Sequence, residues 1–332
     1  MKKTTLIGIN GGIACGKDTV ATIIQYLTTE DKSEKLLDRI KSGLDVNGYH
    51  YSEWIVRKFA DKLKDMVCLL IGCTRLELES QEFKNKPLSE DWRVWYLTHY
   101  KLNNRRISDL YSSEEEVKSF IDSDEFKSMG ISDYQVESKI LTPRIILQLL
   151  GTEGGRKVIH PQIWVNSLFA DYKARDKGKA HDLKDFSELY RHTECKSCKK
   201  SYSGYKRQYL CKECIEDESI QFYPKWLLTD MRFPNEMKAV EQRNGLTIKV
   251  TRPYYLRFPE LFSVYTSQAT ELSEKNFIDW LSTYDNEKYE ILTHPSETSL
   301  SDEVFDYTIV NDTNIDDLIE KVSEILKREN IL

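Results

Sequence analysis

Between Gly11 and Thr19 the chain reads GGIACGKDT, where Gly11, four residues, Gly16 and Lys17 satisfy G-x-x-x-x-G-K. That spacing builds a turn whose successive backbone N–H groups, with the N-terminus of a following helix, form a concave anion site. Gly11, Gly12, Ala14, Cys15 and Gly16 form the cradle, and Lys17 has the reach to meet the β- and γ-phosphates of ATP. The next position ordinarily carries a hydroxyl for Mg²⁺, and here it carries Asp18. Thr19 can supply the hydroxyl instead, or Asp18 can bind Mg²⁺ directly or through water. The sequence leaves both open.

A second group is TDMRFPNE, Thr229 to Glu236. The apolar run before it ends in Asp230, which places a carboxylate at the carboxyl edge of a sheet, where α/β ligands bind. Asp230 can orient Mg²⁺, and Arg232, two residues on, can face phosphates. The plainer reading has the acid capping the next helix and Arg232 paired with Glu236. A third group is TPRIILQLLGTEGGR, Thr142 to Arg156. Arg144 and Gln148 are four apart and share a helix face. Gly154 and Gly155 allow close approach to a ligand, and Arg156 comes at once after them. Arginine suits bidentate grip on phosphate, which a site joining two phosphorylated molecules needs. The plainer reading is a surface helix with solvated arginines.

The fourth group is Cys195-x₂-Cys198-x₁₂-Cys211-x₂-Cys214, the spacing of a four-thiolate zinc ribbon. Lys196, Lys199, Lys200, Lys206, Arg207 and Lys212 alternate there with Tyr202, Tyr205 and Tyr209. Such a stretch can grip single-stranded nucleic acid; the favoured reading is a small insertion that uses structural zinc because it has little core of its own. Cys15, Cys68 and Cys73 read as small buried hydrophobes or inert thiols. His160 and His294 each precede a proline and read as turn residues.

The elements that must position these groups are legible from periodicity. Residues 4–10, 54–59, 225–230, 246–253 and 307–310 read as strands. Helical spacing begins after Gly16, recurs at Leu63, Met66, Val67 and Leu70, and returns from about Ile315. Thr142 and Pro143 start a helix that Gly151 is expected to end. Residues 101–140, polar with an acidic run at Glu114–Glu116, read as surface helices and loops. Strands alternating with helices predict an α/β fold with a parallel sheet between helical layers. The expected organisation is a core over 1–175, the ribbon over 176–220 as an unusual lid, and the rest of the core over 221–332.

Composition narrows the class. Of 332 residues, 40 % are hydrophobic and 31 % charged, with a formal net charge of −6. That balance argues against a surface that binds nucleic acid throughout, so any polyanion must meet a local basic cluster. No apolar run is long enough to span a bilayer. Seven cysteines, four of them in paired C-x-x-C groups, suggest metal rather than disulfides and fit a reducing cytoplasm.

Taken together, GGIACGKDT, FADKLK (Phe59–Lys64), TPRIILQLLGTEGGR with HPQIWV, TDMRFPNE, and HPSE with IVNDTNIDDL resemble the bacteriophage-type deoxynucleoside monophosphate kinases, in the family's order. The Gly-Lys-Asp-Thr ending is similar to the family's own form of the loop. The resemblance implies a P-loop, nucleoside-monophosphate-kinase-like three-layer fold, and transfer from ATP to a dNMP with Mg²⁺ in a host cytoplasm, with a homodimer plausible. It implies that Lys17 and the loop amides hold ATP. Asp61, Lys64, Arg144, Gln148, Glu153 and Arg156 would face the acceptor, with Asp230 and Arg232 beside the transferred group. The ribbon departs from the family core. Two other classes stay open: a kinase acting on a modified base in DNA, and a nucleic-acid-binding protein that uses ATP as a switch.

Overall fold

A computed structural model of the chain describes residues 4–29, 34–42, 52–100, 106–174, 191–195, 198–204, 223–269 and 271–332. The strands among them are β1 (Leu6–Asn10), β2 (Trp54–Arg57), β3 (Arg93–Tyr100), β4 (Arg106–Tyr111), β5 (Tyr134–Ile140), β6 (Arg191–Glu194), β7 (Ser201–Gly204), β8 (Lys225–Leu228), β9 (Leu246–Thr251) and β10 (Tyr307–Val310). The helices that matter most for the candidate site residues are α1 (Lys17–Thr28), α2 (Asp61–Ile71), α3 (Pro143–Gln148), α4 (Pro234–Glu241) and α5 (Ile315–Arg328). The chain divides into two compact units, one of residues 1–59 and 165–332, the other of residues 60–164.

The first unit holds a five-stranded, all-parallel sheet in the order β10-β9-β1-β8-β2. Counted in chain order within the sheet, the strands run 5-4-1-3-2. The order therefore reverses beside β1, and such a reversal opens a crevice at the carboxyl ends of the strands. β1 is buried on both faces, its successive side chains pointing opposite ways into two cores. Ile7 and Ile9 pack with Val20, Ile23 and Ile24 of α1 and Leu318, Val322 and Leu326 of α5. Leu6 packs with Leu228, Met231, Met237 and Val240 on the other face, beside Val165, Leu168 and Phe169. Helices thus cover both faces. Each of these fully buried aliphatic side chains contributes roughly 1.5–3 kcal/mol.

α5 begins where the spacing places it. The Asn314 side chain accepts the Asp317 N–H, Asp316 and Asp317 sit in the first turn, and Lys327 and Arg328 in the last, all favourable to the helix dipole. Between β9 and β10 the chain forms a run of helices over 254–298 with its own aromatic core around Tyr265, Phe277, Leu281 and Leu292.

The second unit departs from expectation. Residues 93–140, read in large part as surface helices and loops, contain an antiparallel sheet in the order β4-β3-β5. A helix does occupy Glu114–Asp122, capped by Ser113 as its acidic first turn requires. Thr142 accepts the Ile145 N–H and Pro143 opens α3 as expected, but Gly151 does not end the helix. A π-helical stretch, Leu149–Ile159, continues it. Gly151 is a packing glycine: a Cβ there would lie 2.9 Å from Leu63. In α2, Val67 is buried while Met66 and Leu70 are exposed, so the apolar face is narrower than its spacing suggests. No helix among the described residues is long and apolar enough to cross a membrane.

Candidate functional site

The GGIACGKDT loop leaves the carboxyl end of β1 and enters α1 at Lys17. Gly16 has φ 91°, in the left-handed region, and a Cβ there would lie 2.6 Å from the Asn311 amide nitrogen. Glycine is therefore required at this position by both backbone and space. Ala14 also has positive φ, at 60°. The Cys15 N–H donates to Gly12 O at 3.2 Å, closing the turn. Cys15 is buried, as the sequence suggests.

Three distant side chains hold this loop. Asn311 Nδ2 donates to Cys15 O at 2.9 Å. Arg257 Nε donates to Ile13 O at 2.8 Å, with its guanidinium 4.7 Å from the Tyr254 ring and 5.1 Å from the Phe258 ring. Glu297 Oε2 accepts the Ile13 N–H at 2.9 Å. The sequence assigns none of the three a role. Asn311 and Glu297 lie in the IVNDTNIDDL and HPSE stretches that carry the family resemblance, which is their only signal; Arg257 offers none.

Lys17 is half-buried and pairs with no carboxylate among the described residues. Asp18 faces Lys58 at 3.4 Å, a largely exposed pair that adds at most about 1 kcal/mol. Among the described residues the Thr19 hydroxyl has no hydrogen-bond partner. No group of three or more carboxylate, His or Cys side chains forms a metal cage among the described residues.

Asp230 lies just beyond β8, the strand hydrogen-bonded beside β1. Its Oδ1 accepts the Phe59 N–H at 2.8 Å, which ties the end of β2 to the end of β8. Arg232 is not paired with Glu236. The buried Glu236 carboxylate instead accepts the backbone N–H groups of Arg232 at 2.8 Å and Phe233 at 3.2 Å, capping α4. The Arg232 guanidinium turns to Glu297 Oε1 at 2.7 Å and Ser296 Oγ at 3.2 Å, both through Nη1. Loop, Asp230 and Arg232 thus gather at one edge of the parallel sheet.

Asp61, Lys64, Arg144, Gln148, Glu153 and Arg156 belong to the second unit. Arg144 donates to the neutral side-chain oxygens of Asn85 at 2.7 Å and Gln81 at 2.6 Å, so no carboxylate among the described residues offsets its charge. Four residues on, Gln148 lines a cavity of about 280 Å³ with Tyr96, Thr98, Glu137 and Lys139. Other residues read for the acceptor have ionic partners. Asp61 meets Arg75 at 3.0 Å, Lys64 meets Glu79 at 2.7 Å, and Glu153 meets Lys157 at 2.6 Å. Burial works against the Glu79 charge, yet Lys64, Lys84 and Arg75 hold its carboxyl below the usual value. A Cβ on Gly155 would lie 2.8 Å from the Trp164 ring, so this glycine makes room for tryptophan rather than for a ligand. Burial and the adjacent Cys68 push the Cys73 thiol up to about 11, consistent with an inert thiol at neutral pH.

The first C-x-x-C pair sits at the tip of an antiparallel hairpin, β6 paired with β7. The Cys195 N–H donates to Lys200 O at 2.8 Å, the Lys199 N–H to Cys195 O at 2.9 Å, and Lys199 takes φ 65°. Cys195 and Cys198 are thereby held in one tight turn. Cys211 and Cys214, with Lys196, Tyr205, Lys206, Arg207, Tyr209 and Lys212, lie outside the described residues. No family model matches the chain, and no curated protein matches it.

Proposed function

We propose that the protein is a P-loop kinase of nucleoside-monophosphate-kinase-like fold that transfers the γ-phosphoryl group of ATP to a deoxynucleoside monophosphate. One observation carries the reading. A glycine-dependent anion loop at the end of β1 opens directly into Lys17 and α1, and the adjacent strand β8 delivers Asp230 and Arg232 to the same sheet edge. Within the second unit, the charge of Arg144 is met only by neutral amides among the described residues. That leaves it suited to the acceptor phosphate.

In the proposed reaction a phosphate oxygen of the acceptor attacks Pγ and the bond from Pγ to the bridging oxygen of ADP breaks. The acceptor is already an anion, so the chain needs no strong general base; its task is positioning and charge stabilisation. Lys17 and the loop amides hold the β- and γ-phosphates, and Arg232 meets charge that builds on the transferred group. Thr19, Asp18 and Asp230 are the residues that would hold Mg²⁺, which would offset charge on the phosphates.

The test is a panel of dNMPs, NMPs and modified pyrimidine nucleotides, offered with ATP and Mg²⁺ while ADP is measured. Turnover that depends on a free dNMP supports the reading. Turnover that depends on DNA and ignores every dNMP would sink it. For the cysteine hairpin we propose structural zinc held by Cys195, Cys198, Cys211 and Cys214. Two cysteines in one turn is half of such a site. Metal analysis of the purified protein is expected to find about one zinc per chain, lost when Cys195 and Cys211 are replaced by serine.

A further inference from the structure

We propose that Glu297 is a positioning residue of this site, a single carboxylate that sets the tip of the phosphate loop and the Arg232 guanidinium against each other. The proposal rests on the kinase reading and adds to it a residue that acts through Ile13 and Arg232.

The geometry is specific. Glu297 has a side chain only 7 % exposed, and it divides its two oxygens between two partners. Oε2 takes the Ile13 N–H at 2.9 Å, and Oε1 takes Arg232 Nη1 at 2.7 Å. Arg257, from the other end of the same helical run, donates to Ile13 O at 2.8 Å. Ile13 is therefore pinned through both its N–H and its carbonyl by the segment between β9 and β10. Glu297 is itself fixed by a short turn, in which its N–H donates to His294 O at 2.8 Å and Pro295 opens the helix.

The consequence for Arg232 is orientation. Nη1 is committed to Glu297 and Ser296, while Nε and Nη2 have no hydrogen-bond partner among the described residues. A guanidinium held by one nitrogen presents its remaining N–H groups in a fixed plane, the arrangement that grips phosphate oxygens. A carboxylate this close to an anion site would repel phosphate if unpaired; Arg232 neutralises it. The carboxylate in turn removes the freedom the arginine would otherwise lose on meeting the transferred group.

The test compares ATP turnover, with the best acceptor from the dNMP panel, for wild type, Glu297→Gln, Glu297→Ala, Arg232→Ala and the double variant. Thermal midpoints are measured alongside. A carboxamide has the same shape, but its NH₂ would face one of two donors, so Glu297→Gln is expected to fold and to lose about tenfold in kcat. Glu297→Ala should lose about 10²-fold, the scale of an ångström's misplacement. In the Arg232→Ala background the further loss should shrink to about threefold or less, because residues acting as a unit are not additive. Wild-type kcat in Glu297→Gln, or losses that multiply in the double variant, overturn the proposal while leaving the kinase reading standing. A wild-type protein that transfers to no dNMP takes both down together.

Discussion

Lys17→Ala is expected to cripple the proposed phosphoryl transfer, with kcat lower by on the order of 10²–10³-fold, the scale seen when a preorganised charge-stabilising donor is removed. Lys17 is the first residue of α1, and among the described residues no carboxylate competes for its ammonium group. The helix does not depend on it: α1 is anchored by Val20, Ala21, Ile23 and Ile24, all in the core. Alanine is also the best helix former, so the change in stability should stay within about 0.5 kcal/mol, as for other substitutions away from packed features. The discriminating result is therefore a lost rate with an unchanged thermal midpoint. A variant with wild-type turnover would refute the assignment of the phosphate loop, and one that unfolds would show that Lys17 does structural work the contacts do not reveal.

The strand–turn–helix setting of Lys17 was legible in the sequence because everything that defines it is local: a buried strand, a glycine turn and a helix within roughly twenty residues. The parallel strands were legible for a related reason. β1 and β8 are buried on both faces and read as short, mostly apolar runs, while β9, LTIKVT, alternates Leu246, Ile248 and Val250 in the core with polar residues between them. The antiparallel sheet hid itself because β5, YQVESKI, is short, largely exposed and rich in charged and polar residues, with its period-2 pattern broken at Ser138. Gly151 misled because a helix stop and a packing glycine look alike until Leu63 is seen beside it. Met66 and Leu70 fit the helical period equally well, yet only a partner could have buried them.

The loop's supports were beyond local reading altogether. Asn311, Glu297 and Arg257 act on residues 296, 284 and 244 positions away in the chain. Their types answer unmet backbone groups in the loop, since a buried backbone group needs a partner. Nothing in the neighbourhood of each residue announces that partner. The same limit explains Arg232. Sequence proximity suggested Glu236, four residues on, but the helix start claims that carboxylate for two backbone N–H groups and sends the guanidinium 65 residues onward to Glu297.

Arg232→Ala is the other substitution with a large expected effect, a loss on the order of 10³-fold in kcat, the lower end for an arginine that meets charge building on a transferred phosphoryl group. An interaction made chiefly in the transition state lowers kcat and kcat/KM together, so the KM for ATP should change little. Arg232→Lys should not restore the rate. A lysine is a point charge that cannot bond Glu297 and Ser296 through one nitrogen while presenting others in a fixed plane. Unlike Lys17→Ala, this change should also be felt in stability, because it leaves the nearly buried Glu297 with the Ile13 N–H alone. The cost is about 1–3 kcal/mol, that of a buried acceptor stripped of its partner, read as a lower thermal midpoint. Adding Glu297→Gln removes the stranded charge and should recover part of that midpoint without recovering any rate. Stability and turnover would then move in different directions at one pair of residues. A purely structural ion pair would cost stability and leave the turnover of the folded protein unchanged, so a lost rate that does not return with the midpoint separates the two roles.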